Sequence, residues 1–530
     1  MKFLSTFVFF LSSAAAFAQP VTVGSTEEYT NIIPEASWKQ FLGYDATGYY
    51  ILRESGPISN QKIWLEKYSP AMKLISTTNI ESTSGTMGNS LLHRYTRWDH
   101  GKVYVFLEGW NKVESQNSFH VKVMNDDGSM PETATLLETE FSTGQLKSAD
   151  YSVSFSPDGS KMLVLTEKPF KKGEKEELRL QVFSTKDYTS LWKKELTLEN
   201  ESVRYPDNDI AVDNSGIVYL YKDIKISGKE HTYQLVTHGG DFTKTEKIDL
   251  QTYFPTHYKM QIDSTGKLVI AGTLATQGEN ASEWRATWYL QADASGAIVQ
   301  NKVEQLGTEL LRLIVSEKAA ATDNYSLDNY VFKDVVLKPN GGLILLAEYQ
   351  ADSYTVIGTA QPPVYQYDLR YGNVVAISLD ENGNRVWANV LVKGQQELTL
   401  NKDKHYGSFA YQLKNDQLYL VWNFTDLHVD FPVHSFRYWF DRSGAKINID
   451  NIFGKEAYYP TMLSVINPDG TFQYADRSYN ALPLEDIQKP NAFPMAVDPS
   501  FFFPTPEGMV ILARMPGKDS KRFKFNTIKY

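Results

Sequence analysis

Tyrosine returns at one fixed place in this chain. Eleven residues before a turn marker stand Tyr205 (to Gly216), Tyr330 (to Gly341) and Tyr459 (to Gly470), and His405 holds the same spacing to Asp416. Tyr258 and Tyr406 lie close to the equivalent position. An aromatic ring with a polar tip can stack on a sugar or peptide and also hydrogen-bond to it. The repeated set is therefore a candidate ligand-binding surface; alternatively, each ring packs under a neighbouring sheet. A second concentration lies in the long loop expected over Tyr349–Gly372, which holds Tyr354, Tyr365, Tyr367, Asp368, Arg370 and Tyr371. Together with Gly307–Asn329 it forms either the walls of a pocket, with Tyr365, Tyr367, Arg370 and Tyr371 as binding side chains, or an ordered plug or docking patch.

Catalytic constellations are sparse. His428-x-Asp430 with His434 is the nearest approach to a metal cluster, but it lacks the helical His-x-x-x-His frame of a zinc site. No Gly-x-Ser-x-Gly elbow occurs. Asp126-Asp127-Gly128 and Asp380-Glu381-Asn382-Gly383 resemble calcium loops superficially, without EF-hand spacing, and sit where hairpin turns are needed. Asp207 with Asp209 is an acid pair whose value for glycoside hydrolysis depends on distances the sequence does not give. No metal and no cofactor is expected.

The elements that must position these residues come from one recurring phrase: an apolar strand, a tight Asp/Pro-x-Gly turn, and a second apolar strand. Tyr151–Glu167, YSVSFSPDGSKMLVLTE, is its clearest copy, with others around Asp45–Gly48, Asp213–Gly216, Asp263–Gly266, Pro339–Gly342, Pro468–Gly470 and Pro506–Gly508. In the template Asp150–Leu198 four strands follow one another: Ser152–Ser156, Lys161–Thr166, Leu178–Phe183 and Ser190–Leu196. A repeated four-stranded antiparallel meander predicts an all-β protein, a β-propeller of seven or eight blades. The same frame fits 41–80, 93–137, 203–250, 257–303, 330–391 and 406–449, the last with an outer turn at Asp441–Gly444. Thr461–Tyr530 holds two further inner-type hairpins, forming an eighth blade or a ring closure shared with N-terminal strands. One inserted helix is predicted over Gln305–Ala321, with Thr308 as a possible cap.

Phe155-Ser156-Pro157-Asp158-Gly159 and the strand after it resemble the WD40-like/TolB-type propeller repeat. The other copies keep the glycine and usually an aspartate, asparagine or proline. The resemblance implies a propeller and carries no ligand with it; the leader style and aromatic richness are similar to secreted Bacteroidetes propellers.

Composition bounds the rest. Lys2, the apolar run Phe3–Leu11 and Ala16-Phe17-Ala18 predict an export signal over residues 1–18, cleaved before Gln19, leaving 19–530 as one propeller domain. The chain has no cysteine, which excludes disulfides, thiolate metal sites, cysteine nucleophiles and lipoprotein anchoring. With 53 basic against 63 acidic residues the net charge is −10, which disfavours nucleic acid as a partner. No apolar segment after the leader is long enough for a membrane span. The expected product is a periplasmic or extracellular non-catalytic scaffold that binds a protein or glycan through its long-loop face. A polysaccharide lyase or glycoside hydrolase with its site at the channel mouth is the alternative.

Overall fold

The computed structural model describes residues 21–26, 29–30, 37–55, 62–80, 91–142, 149–169, 174–201, 208–227, 230–277, 283–321, 325–357, 364–399, 407–424, 461–484, 496–514 and 522–530. Eight sheets share a meander of four antiparallel strands. Blades one to seven span 37–80, 91–141, 150–201, 208–248, 253–305, 330–391 and 409–483. Blade eight combines three C-terminal strands, Ala496–Thr505, Gly508–Arg514 and Arg522–Lys529, with the N-terminal strand Thr22–Ser25. Thr22 pairs with Lys529 and Ser25 with Asn526, so the two ends of the chain are zipped into one sheet.

The apolar runs explain why the sheets form a ring. Successive side chains on a strand point to opposite faces. On the second strand of blade five, Leu268 and Ile270 enter a core shared with blade four, while Val269 and Ala271 enter one shared with blade six. Blade six divides Leu343 and Leu345 from Ile344 and Leu346 in the same way, and blade eight divides Met509 and Ile511 from Val510 and Leu512. Eight cores result, one between each pair of neighbours, the last joining Phe41 and Ile51 of blade one to Phe523 and Phe525 of blade eight. Each fully buried Leu or Ile contributes about 1.5–3 kcal/mol of burial. Fourth strands have a free edge and alternate instead, as in Leu74–Ile80. First strands touch first strands of the next blades, Asp150–Phe155 against Asn208–Val212 and that against Tyr253–Ile262, so they converge on the axis.

The short turns tie blade to blade. Asp293 Oδ1 accepts from the Ser295 amide (2.9 Å), the Ser295 hydroxyl (2.7 Å) and the Ala297 amide (3.1 Å). Asp263 and Asp380 cradle their turns similarly. Side chains of one blade then bond the turn of the next: Trp192 Nε1 donates to the Gly216 carbonyl (3.2 Å), Tyr289 Oη to Glu381 (3.0 Å) and Trp387 Nε1 to Pro468 (2.9 Å). Gly383, at φ 74°, lies so close to Tyr289 that a Cβ would fall 2.3 Å from its ring. Its glycine answers both the left-handed backbone and the approach of the neighbouring blade.

Three expectations need correction. The outer turn expected at Asp441–Gly444 lies outside the described residues; the third and fourth strands of the seventh blade are Thr461–Ile466 and Ala481–Pro483. The turn at Gly470 is accordingly an outer one, because a long segment intervenes between second and third strands. The inserted helical segment is present where expected, as two short helices, Thr308–Arg312 and Glu317–Ala320, with Gln305 belonging to the strand before them. Thr308 is helical, Gly307 precedes it without a side-chain cap, and Ser316 caps the second helix through the Ala319 amide. Finally, Tyr349–Gly372 is mostly strand, the distal part of a hairpin between Leu343–Ile357 and Val364–Leu379.

Candidate functional site

Among the described residues, that hairpin carries the most exposed aromatic surface of the long-loop end. Beyond a bulge between Glu348 and Gln350 it continues past the sheet as a tongue, with Gln350 opposite Tyr371 and Ile357 opposite Val364. Gln395–Thr399 adds a third strand, pairing with Tyr367–Tyr371. Direct opposition of Tyr354 to Tyr367 and of Val356 to Tyr365 puts these four on one face. The three rings touch: Tyr354 is 5.4 Å from Tyr365 at 80° and 6.4 Å from Tyr367 at 58°. Tyr354 is 64% exposed, Val356 51% and Tyr365 38%.

The opposite face is polar. Arg370 Nη2 donates to Asp368 (2.8 Å), and Gln396 Nε2 donates to the same carboxylate (2.7 Å). Asp368 is the main cause holding the Arg370 guanidinium above its usual range. The sequence grouped Tyr365, Tyr367, Arg370 and Tyr371 together, and the structure divides them. Tyr365 and Tyr367 face outward together, Arg370 points from the other side, and Tyr371 is buried with its ring against Gly407.

A buried polar cluster fixes the base of the tongue. Glu348, fully buried, receives Lys393 at 2.6 Å, Lys333 at 3.0 Å, the Ser408 hydroxyl at 2.7 Å and Gln350 Nε2 at 2.6 Å. Burial would raise the Glu348 carboxyl, but Lys393 and Lys333 outweigh it and hold it below the carboxylate range. Lys393 is equally buried, and desolvation pulls its ammonium down despite that partner. Lys393 also donates to Gln395, whose amide reaches the Asn423 carbonyl (2.7 Å) in blade seven. The tongue is thus anchored to two blades. Sequence reading missed this cluster because its members lie far apart in the chain and nothing local marks a buried charge.

The repeated tyrosines divide by what can be seen. Tyr205, His405, Tyr406 and Tyr459 lie outside the described residues, as do His428, Asp430, His434 and Asp207. Tyr258 packs edge-on to Tyr221 (4.9 Å) and Trp288 (6.0 Å) in the core between blades four and five. Tyr330 packs against Trp284 and Tyr349 (5.8 Å), and burial pushes its hydroxyl up. Both rings serve the interfaces between blades. Closer to the axis, first strands are laced together: Asp334 of blade six accepts from Lys259 of blade five (2.7 Å) and from the Tyr411 hydroxyl of blade seven.

The Gly307–Asn329 insertion is packed, with Leu310, Leu311, Ala320 and Leu327 buried in the core shared by blades five and six. Beside it Tyr253, Arg285, Gln305 and Tyr325 line a cleft of only ≈ 90 Å³, against the roughly 300 Å³ at which small-molecule pockets begin. A second cavity of ≈ 310 Å³ lies at the short-turn end, where first strands of blades six, seven and eight finish. Among the described residues no group of three acidic or histidine side chains is placed to hold a metal, and no helix is long and apolar enough to cross a membrane.

No protein-family model matches the chain, and no curated protein matches it either. Among solved structures it is similar to the WD40 domain of SCAP from fission yeast (6% identity, 96% of this chain and 94% of that one, TM-score 0.36). It is also similar to the β-propeller domain of the Trilobed protease from Pyrococcus furiosus, which has an open velcro topology (10% identity, 70% and 96%, TM-score 0.34). A third is MPT-4, a mannose phosphorylase from Leishmania mexicana (12% identity, 50% and 81%, TM-score 0.24). Likenesses this remote carry no argument about activity.

Proposed function

We propose that this protein is an exported eight-bladed propeller that recognises a protein partner through its long-loop face, with the tyrosine side of the blade-six tongue as contact surface. The cluster of exposed Tyr354 and Tyr365 with half-buried Tyr367, on a rigidly anchored projection, is the observation that carries the reading. Tyrosine-rich surface of this kind is typical of the energetic centres of protein interfaces. The rings stand at 80°, 58° and 34° to one another, so they offer no flat track for a run of sugar rings and suit a groove in a protein better. The short turns are tied blade to blade, whereas among the described residues nothing covers the exposed Tyr354 and Tyr365 of the tongue. Residues 1–18 act as a cleaved leader in this reading, and the periplasm or cell exterior is the place of work. A kinship with secreted Bacteroidetes TolB-type propellers belongs to the same proposal.

The test is a binding screen on peptide and glycan arrays with the wild-type chain and with the variant carrying Tyr354→Ala, Tyr365→Ala and Tyr367→Ala. Peptide or protein ligands lost by the variant support the reading. Glycan binding that the variant retains overturns it, and release of sugar products would establish the hydrolase or lyase alternative.

A further inference from the structure

We propose that the cavity at the short-turn end of blades six to eight is a second, separate binding site, for a small uncharged aromatic ligand of two-ring size. The cavity measures ≈ 310 Å³, and Val336, Leu337, Pro339, Tyr411, Leu413 and Pro504 give it a mainly apolar wall. An engineered, closed apolar cavity of roughly 150 Å³ takes up benzene, whereas this one is open to solvent on one side. Twice that space suits a fused pair of rings. The site is built from fixed parts. Val336, Tyr411 and Leu413 also pack on the core between blades six and seven, and the Tyr411 ring rests edge-on against Phe502 of blade eight at 5.4 Å. Gln412 Nε2 donates to the Thr505 carbonyl (2.8 Å) and its oxygen accepts from Tyr530 (2.5 Å), so this polar lining residue is engaged with protein. The Tyr411 hydroxyl is turned to Asp334.

The charge at the rim sets selectivity. Asn415 and Asp416 form the two-residue turn at the opening, both with positive φ (51° and 59°), and Asp416 contributes the carboxylate of the lining. The Lys338 ammonium donates to the Ser378 hydroxyl at 2.5 Å and stands within electrostatic reach of Asp416. Asp416 offsets that ammonium, so the rim offers an anionic ligand no excess positive charge, while a neutral ring meets a mainly apolar wall. The site is at the opposite end of the wheel from the tongue and does not depend on what the tongue binds.

Indole and indole-3-acetate are the probes, measured by calorimetric titration and ligand-observed NMR on the intact mature chain. Indole should bind, and indole-3-acetate should bind at least about tenfold more weakly, with Asp416→Asn narrowing that gap. Val336→Phe and Pro504→Phe each fill the cavity from a different wall, and each should weaken indole binding at least about tenfold. Thermal melting shows which variants fold; either one is sufficient. Absence of indole binding to the wild type, unchanged binding in a folded filled variant, or equal affinity for the acetate overturns the proposal.

Discussion

Tyr354 stands directly opposite Tyr367 across the blade-six hairpin, their ring centroids 6.4 Å apart, on the part of that hairpin beyond the bulge between Glu348 and Gln350. Within a propeller blade such a pair would pack against a neighbouring sheet. Here no described neighbour covers it, and Tyr354 is 64% exposed. Replacing Tyr354 or Tyr367 by alanine should therefore weaken partner binding by about 2 kcal/mol or more, the scale of an interface hot spot. The same substitutions should leave the melting temperature nearly unchanged. Surface plasmon resonance beside differential scanning calorimetry separates the two effects.

The Glu348 cluster predicts the opposite balance. Glu348→Gln leaves Lys393 buried without its counter-charge, which should cost about 3–5 kcal/mol. Converting both Glu348 and Lys393 to methionine removes the fully buried pair, leaving only the partly exposed Lys333 to find water, and should cost clearly less. Denaturant melts of the two variants provide the comparison; an equal loss in both would mean that the pairing contributes nothing.

Ring closure depends on the N-terminal strand. Val23 sits opposite Ile528 and packs on the core between blades seven and eight. Val23→Asp places a charge on that core face and should destabilise the protein by about 2 kcal/mol or more. Faster exchange should follow in Arg522–Lys529, its hydrogen-bonded neighbour, while blade four remains protected. Hydrogen–deuterium exchange by mass spectrometry checks the contrast.

The aspartate turns give the fold an acid-sensitive edge. Ser295 hydroxyl donation, opposed by burial and aided by the Ala297 and Ser295 amides, holds the Asp293 carboxyl below its usual value. A carboxyl depressed in the folded state stabilises fully above its unfolded value, near pH 4, and this contribution is lost as pH falls through the lower folded value. Asp293→Ala should cost about 1 kcal/mol at neutral pH, and the difference from wild type should shrink toward pH 3. Melting curves across pH 3–7 report it.

Much of this architecture was legible because strand alternation and the Asp-x-x-Gly turns are local signals. Leu268–Ala271 reads as an unbroken apolar run because its two faces serve two neighbours, and that reading needs no distant information. Blade seven misled because 425–460 separates its second strand from its third, so the Pro468–Gly470 turn was assigned to the wrong hairpin. The strand character of the tongue is itself local, since Tyr365, Tyr367, Leu369 and Tyr371 alternate with Gln366, Asp368 and Arg370, and the loop expectation gave that alternation too little weight beside the length of the segment. Tyr365, Tyr367, Arg370 and Tyr371 form one group in the sequence, yet strand alternation places Tyr365 and Tyr367 on one face and sends Arg370 to the other. Tyr371 shares their face but is buried, and Gly407, whose close approach is not local in sequence, is what covers it. The Lys393–Glu348 pair depended on a contact between distant strands that no local pattern announces.

The claim that the tongue is the recognition surface is tested most directly by site-specific photo-crosslinking in the native envelope. A photoreactive phenylalanine analogue at position 365 should give a discrete crosslinked partner, while the same group at exposed Leu191 on the outer edge of blade three should give none. Equal crosslinking at both positions, or partner capture from position 191 alone, would contradict the account.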